Sequence, residues 1–145
     1  MELEYLKHYV DIQQIRYDHK FEVIWDVDDQ ALEVLIPKMI LQPLVENAIY
    51  HGIKEKEGKG TIKVRVCRQE GSISIRILDN GIGVSEEKLA ALREQLAAYA
   101  REASEHIGLL NTNRRLILCY GESAAIQISS RYGMGTVISF LIPAA

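Results

Sequence analysis

The sequence predicts an α+β domain, with one sheet and helices stacked on one of its faces. Two observations carry this. Apolar and polar residues alternate in two pairs of short segments, and each pair is joined by a glycine-bearing link. Such pairs read as antiparallel hairpins. Longer segments with helical apolar spacing stand around and between them. The 145 residues, 48% hydrophobic and 26% charged, support one domain with a real core.

The elements follow in order. Leu3 to Ile15 carry a helical stripe of Leu3, Leu6, Tyr9 or Val10, and Ile12 or Ile15. No clear cap precedes it, so it reads as cut from a longer helix. Phe21 to Val27 alternate as a strand. Pro37 to Lys54 read as one long helix, with Ile40, Leu41, Leu44, Val45, Ala48 and Ile49 on its apolar face. Pro43 requires either that the regular helix starts near it or that the helix bends there. A charged loop runs from Lys54 to Gly60.

Thr61 to Arg68 and Ser72 to Asp79 form the first hairpin, each with one face to bury. Ser85 caps a helix running to Arg101, with Glu86 and Glu87 favourably placed in its first turn. Ala97 to His106 are rich in alanine and poor in large side chains, which predicts a weakly anchored, mobile segment. Ile107 to Gly121 form another helix, ended by its glycine. Ala124 to Arg131 and Gly135 to Pro143 form the second hairpin, around "YGMG".

Composition excludes several classes. The formal net charge is −3 and the basic residues are scattered, so no nucleic-acid partner is expected. Cys67 and Cys119 give neither a disulfide framework nor a zinc spacing, and read as reduced thiols in a cytosolic domain. No apolar run approaches the ~18 residues of a membrane span. The first residues are amphipathic and acidic, unlike a signal peptide.

Four constellations invite chemistry. In "ILDNGIGVSEE", an apolar strand ends at Asp79 and becomes glycine-rich. A dinucleotide fingerprint fails because its third glycine position is Glu86. A phosphate loop fails because Gly58-Lys59 is followed by Gly60. A calcium loop is weak, since Gly81 falls on a ligand position. Asn80-Gly81 is also a strong hairpin signal, so a plain turn and a binding pocket both stand.

In "VENAIYHG", helical spacing puts Asn47, His51 and Lys54 on one face bordering the core. Such a row is either a hydrated flank or an amide oxygen for a hard cation with basic neighbours for phosphate. In "HIGLLNTNRR", a glycine at a helix start exposes N–H groups that bind anions, or the stretch is an ordinary helix start. "YGMGT" is a hairpin turn or a further pocket wall.

These pieces, in this order, resemble the catalytic ATP-binding domain of sensor histidine kinases, in the superfamily shared with gyrase, the heat-shock chaperone and MutL. "LQPLVENAIYHGI" resembles the asparagine box and "DNGIGV" the first glycine box. "HIGLLNTNRRL" resembles a variant second box, and "GMGTVISFLIP" the final glycine-threonine strand. "ENAIxHG" with "GLxNxxxRL" is similar to the integral-membrane sensor kinases of the autolysis and YesM-type regulators.

The resemblance implies a two-layer sandwich with a mixed, mostly antiparallel sheet of about five strands. It implies a helical segment over 1–17, leading from a phosphoacceptor domain absent from this chain, and a catalytic domain over 18–145. Asp79 would accept the adenine amino group, with Gly81 and Gly83 allowing close approach. Asn47 would hold Mg²⁺ through its side-chain oxygen, with His51 and Lys54 near the phosphates. Gly108 and Leu109 would offer N–H groups, Asn111 an amide, and Thr136 support for Asp79 or a water. Ser85 to His106 would form a lid over ATP.

The pattern departs from the family in two places. The hydrolases' glutamate position is Pro43 here, and Glu46 beside Asn47 is the candidate base or metal-shell residue. The second box's usual glycine pair is reduced to "HIGL". The acceptor-histidine motif is absent, and His8 and His19 read as surface residues. The implied activity is transfer of the ATP γ-phosphoryl to a histidine on another domain of the full-length protein, and then to a response regulator. That full-length protein would be a homodimer in the cell membrane, with this domain cytoplasmic. A stand-alone anti-sigma-type serine kinase and a nucleotide-sensing module without transfer are the alternatives.

Overall fold

The computed structural model describes residues 3–31, 40–98 and 106–143. Strands β1 (Phe21–Val27), β2 (Gly60–Gln69), β3 (Ser72–Asp79), β4 (Gln127–Arg131) and β5 (Gly135–Pro143) form one open sheet. Their order is β1-β2-β3-β5-β4. β1 runs parallel to β2, in register from Phe21 opposite Gly60 to Val27 opposite Val66. Every other neighbouring pair is antiparallel. The sheet is therefore mixed and mostly antiparallel, as expected.

Period-two alternation decides which face is covered. Ile62, Val64 and Val66 of β2, Ile73, Ile75 and Ile77 of β3, and Ile138, Phe140 and Ile142 of β5 are all buried in one core. Lys63, Arg65 and Arg76 alternate with them and lie on the open face. There Asp26 sits 3.7 Å from Lys63 and 3.6 Å from Arg65. Four helices cover the core face: α1 (Leu3–Arg16), α2 (Leu41–Asn47), α3 (Glu86–Ala97) and α4 (Ile107–Tyr120).

α1 buries Leu3, Leu6 and Val10 in the same core, and its Lys7 ammonium lies 5.5 Å over the Trp25 ring of β1. The turn after it places Asp18 and His19 at φ of 57° and 54°, which lets the His19 N–H reach back to the Gln14 carbonyl at 2.7 Å. Ser85 caps α3 by accepting the Lys88 N–H at 3.4 Å, and Leu89, Leu92 and Leu96 face inward. α3 is seen as far as Ala97, and most of the expected mobile segment, 99–105, lies outside the described residues. α4 stops at Gly121, which takes φ of 91°.

The long helix expected from Pro37 divides. Residues 37–39 lie outside the described residues, and regular α-helix spans Leu41–Asn47. Pro43 falls in its first turn, where a backbone N–H has no helical partner to lose. Ala48–Ile53 then continue as a π-helical turn, closed by Lys54 N–H donating to the Ile49 carbonyl at 2.8 Å. Such wide turns gather at functional sites because they re-aim side chains. Among the described residues, no helix is long and apolar enough to cross a membrane, and both cysteines are free thiols.

Candidate functional site

β3 and β5 end side by side, with Asp79 directly opposite Thr136. The Asp79 carboxylate accepts the Gly81 N–H at 2.9 Å and the Thr136 N–H. Burial pushes its pKa up to about 6, although both hydrogen bonds favour the ionised form. It is a partly dry acceptor held in place by main chain.

Three glycines make that placement possible. A methyl group on Gly52 would stand 2.7 Å from Asp79 Oδ1. One on Gly81 would overlap the Gly52 backbone, and one on Gly135 would overlap the Asp79 carbonyl. Asn80-Gly81 is not a hairpin turn. Asn80 still pairs with Thr61 of β2, through its N–H at 3.2 Å and its side-chain oxygen at 2.7 Å. The chain then crosses to the π turn, where the Ile82 N–H meets the Gly52 carbonyl at 3.2 Å. Gly83 takes φ of 73° against the Arg131 carbonyl.

The π turn presents the second cluster. His106, just before α4, places Nδ1 3.1 Å from Asn47 Oδ1. Its ring lies 4.3 Å from that of His51. The Lys54 ammonium sits 4.4 Å over the Tyr50 ring. His106, His51, Lys54 and Tyr50, with Glu55, Ile82, Gly83, Val84, Ser85, Lys88 and Tyr132, border an open pocket of about 620 Å³, which Asn47 meets through His106. Its volume suits a small ligand.

The predicted residues thus divide. His51, Lys54 and Gly83 line the pocket. Asp79, Gly81 and Thr136 join it through Gly52 and Ile82, and Asn47 through His106. The Thr136 N–H supports Asp79, while its hydroxyl pairs with Ser130 Oγ at 2.8 Å. Ser130 in turn accepts the Val84 N–H at 2.7 Å, fixing the chain that leads into α3.

Three other candidates stand apart. The Leu109 side chain is 1% exposed and belongs to the core, so what it can offer the site is the expected backbone N–H at the start of α4. Asn111 is exposed, and the buried amide of that helix is Asn113, which bonds the Ile126 N–H at 2.8 Å and the Leu96 carbonyl at 3.3 Å. Glu46 turns toward α1, where it hydrogen-bonds Tyr9 and helps hold the phenol protonated. Together they border a separate groove with Gln13, Arg16 and Tyr17.

Gly108 lies in the first turn of α4, and a methyl group there would meet only Pro43, at an ordinary 3.7 Å. Gly108→Ala is therefore expected to stabilise the unliganded domain by roughly 0.5–1 kcal/mol through helix propensity. Urea melts check this. A parallel nucleotide titration shows whether the glycine instead serves ligand approach, through a fall in affinity without a fall in stability.

Reading by motif missed Gly52, Gly135, Ser130 and His106. For Gly52 and Gly135 the signal was present, since both sit in the quoted stretches "YHG" and "MGT". Their need appears only when β3, β5 and the π turn converge on one carboxylate. His106 likewise opens the quoted stretch "HIGL", but nothing there marks its side chain as a partner of Asn47, and Ser130 carries no motif signal.

An open five-stranded sheet backed by helices, with a pocket between the α2 turn and the β3 end, is the architecture of a histidine kinase catalytic domain. The solved catalytic domain of the histidine kinase ThkA superposes with a TM-score of 0.70 at 23% identity, over 99% of this chain and 93% of that one. The mycobacterial sensor histidine kinase MprB gives 0.65 at 18% identity, over 97% and 93%. Residues 34–145 match the family described as histidine kinase-, DNA gyrase B-, and HSP90-like ATPase, and the chain belongs to that family. It is 34% identical to the sensor protein LytS of Oceanobacillus iheyensis and 35% identical to the sensor protein kinase HptS of Staphylococcus aureus, over 98% of its length. The chain spans about a quarter of the length of these relatives, 24% and 27%.

Proposed function

We propose that this chain is the ATP-binding catalytic domain of a two-component sensor histidine kinase. It presents the ATP γ-phosphoryl to a histidine on a domain outside the chain, in a longer, membrane-bound, homodimeric protein that then supplies a response regulator. The observation that carries the reading is the half-buried Asp79 carboxylate beside an open pocket, in a chain of this ATPase family.

Each residue has a physical task. Ionised Asp79 accepts the exocyclic N–H of adenine, and its hydrogen bonds from Gly81 and Thr136 fix its aim. Gly81 and Gly83 keep side chains out of the way where the base enters. His51 and Lys54 face the anionic end of the nucleotide. Gly108 and Leu109 begin α4, whose N-terminal dipole favours phosphate, and Asn111 adds an exposed amide one turn further on.

The donor set fits Mg²⁺. This hard ion takes few protein oxygens and otherwise uses water and phosphate, and Asn47 Oδ1 is a neutral oxygen directly behind the pocket-lining His106. When bound beside Asn47, Mg²⁺ would offset the negative charge of the phosphates. Glu46 stands one residue from Asn47 but is engaged by Tyr9, so its role is to tie α2 to α1 rather than to take a proton.

Calorimetry with ATP and Mg²⁺, followed by incubation with a histidine-bearing acceptor-helix domain from a sensor kinase, tests the proposal. Binding with acid-labile phosphorylation of the acceptor is expected. Absence of ATP binding overturns it. Labelling of a serine-bearing partner instead would favour the anti-sigma-type kinase.

A further inference from the structure

His106 occupies the one side-chain oxygen that the reading above gives to the cation. We propose that His106 is a positioning residue that covers Asn47 Oδ1 until Mg²⁺ and nucleotide arrive together, which raises the Mg²⁺ concentration that nucleotide binding requires. The inference rests on that assignment of Asn47.

The geometry argues for it in three ways. An amide oxygen only accepts, so at 3.1 Å the Nδ1 of His106 must carry the proton and donate it. The positive end of that N–H bond then points at the atom a cation needs. Second, His106 borders the pocket and Asn47 does not, so the ring stands between the oxygen and the space a ligand fills. Third, the ring is held there. It packs against His51 at 4.3 Å with a 34° tilt. His106 stands in the capping position of α4, yet its side chain makes no capping bond.

A Mg²⁺ ion demands near-ideal octahedral geometry close to its ligand oxygen. The imidazole N–H takes one of the two lone pairs of Asn47 Oδ1 and sets its positive end beside the other, so the ion meets a weakened ligand until the ring moves aside. Mg²⁺ alone, strongly hydrated, is a poor competitor. Mg²⁺ carried on a diphosphate brings several of its ligands with it and can displace the ring.

The test is ADP binding by calorimetry across a Mg²⁺ series, which avoids turnover. His106→Ala is expected to lower the Mg²⁺ concentration at half-maximal effect about fivefold, the worth of one net hydrogen bond. His106→Gln keeps an N–H donor and is expected to return the midpoint toward the natural value. In the natural protein, imidazole ¹⁵N spectra should show His106 protonated at Nδ1. That signal should shift with Mg²⁺ plus ADP, and not with ADP plus chelator.

An unchanged or raised midpoint in His106→Ala overturns the proposal, as does a ring signal that responds equally to ADP without Mg²⁺. These outcomes leave ATP binding itself intact. If the natural protein binds ADP without any Mg²⁺ dependence, the Asn47 assignment and this inference fall together. If it binds no nucleotide, the functional reading falls as well.

Discussion

Asp79→Asn is expected to lose about a hundredfold in ATP affinity while leaving the unliganded domain at least as stable at pH 7.5. The two effects have one cause. The folded protein holds Asp79 at a pKa of about 6, against 3.8 for an ordinary aspartate, chiefly because burial penalises its charge. The native state therefore binds the proton more tightly than the unfolded state. Between pH 4 and pH 6 the unfolded chain ionises first, so stability falls as pH rises through that window and levels above it. A shift of this size corresponds to roughly 3 kcal/mol given up at neutral pH.

Asparagine removes the charge and this loss. It also forfeits one of the two main-chain bonds to the carboxylate, at about 1–2 kcal/mol. The net gain is about 1 kcal/mol, and the fall between pH 4 and pH 6 disappears. Urea melts at pH 4.5, 5.5 and 7.5 read both. The affinity loss, roughly 3 kcal/mol, is that of a desolvated, charge-assisted bond to the adenine amino group. In the natural protein affinity should also weaken below pH 6, as Asp79 takes up its proton. An Asp79→Asn protein with unchanged affinity would remove the carboxylate from the nucleotide site.

Gly81→Ala is expected to cost at least about 3 kcal/mol, enough to shift the urea midpoint far below that of the natural protein. A methyl group there meets the backbone of Gly52, which cannot swing aside as a flexible side chain can. Relief requires separating the β3 end from the π turn. That would break the Ile82 bond to the Gly52 carbonyl and the Gly81 bond to Asp79. Gly71→Ala is the matched control. Gly71 has φ of 79° but open space around its Cβ position, so only backbone strain of about 1 kcal/mol applies. Equal losses in the two variants would show that Gly52 and Gly81 are not in close contact.

Much of the fold was legible, for reasons visible in particular residues. Ile62, Val64, Val66 and their partners Ile73, Ile75 and Ile77 alternate strictly because one face of that hairpin is buried and the other is wet. The antiparallel pairing followed from the short Glu70-Gly71 link. The parallel pairing of β1 with β2 is a long-range fact that no local pattern records. In the site, Asp79 was legible because a carboxylate ending an apolar strand is anomalous. Helical spacing grouped Asn47, His51 and Lys54 on one face. The wider π turn instead swings Lys54 over Tyr50, and hydrogen bonding that inserts one residue into a turn leaves little trace in composition. Asn111 and Asn113 are two residues apart on one helix, and only packing against Leu96 and Ile126 tells which amide is buried.

The parallel β1–β2 pair also sets an order of assembly. The two hairpins close across only a few residues each, whereas Phe21 reaches Gly60 across nearly forty. Closure entropy grows with that separation, and long-range pairings form late. The β3–β5 pairing spans more still, from Asp79 to Thr136, so the Asp79 pocket wall closes only after both hairpins have formed. β1 is an edge strand, paired on one side only, with the α1 helix packed on it. Such an edge pair is the first to open under load. Pulling on α1 would strip β1 from the sheet edge while β2, β3, β5 and β4 stay paired, making this margin of the domain its mechanical fuse.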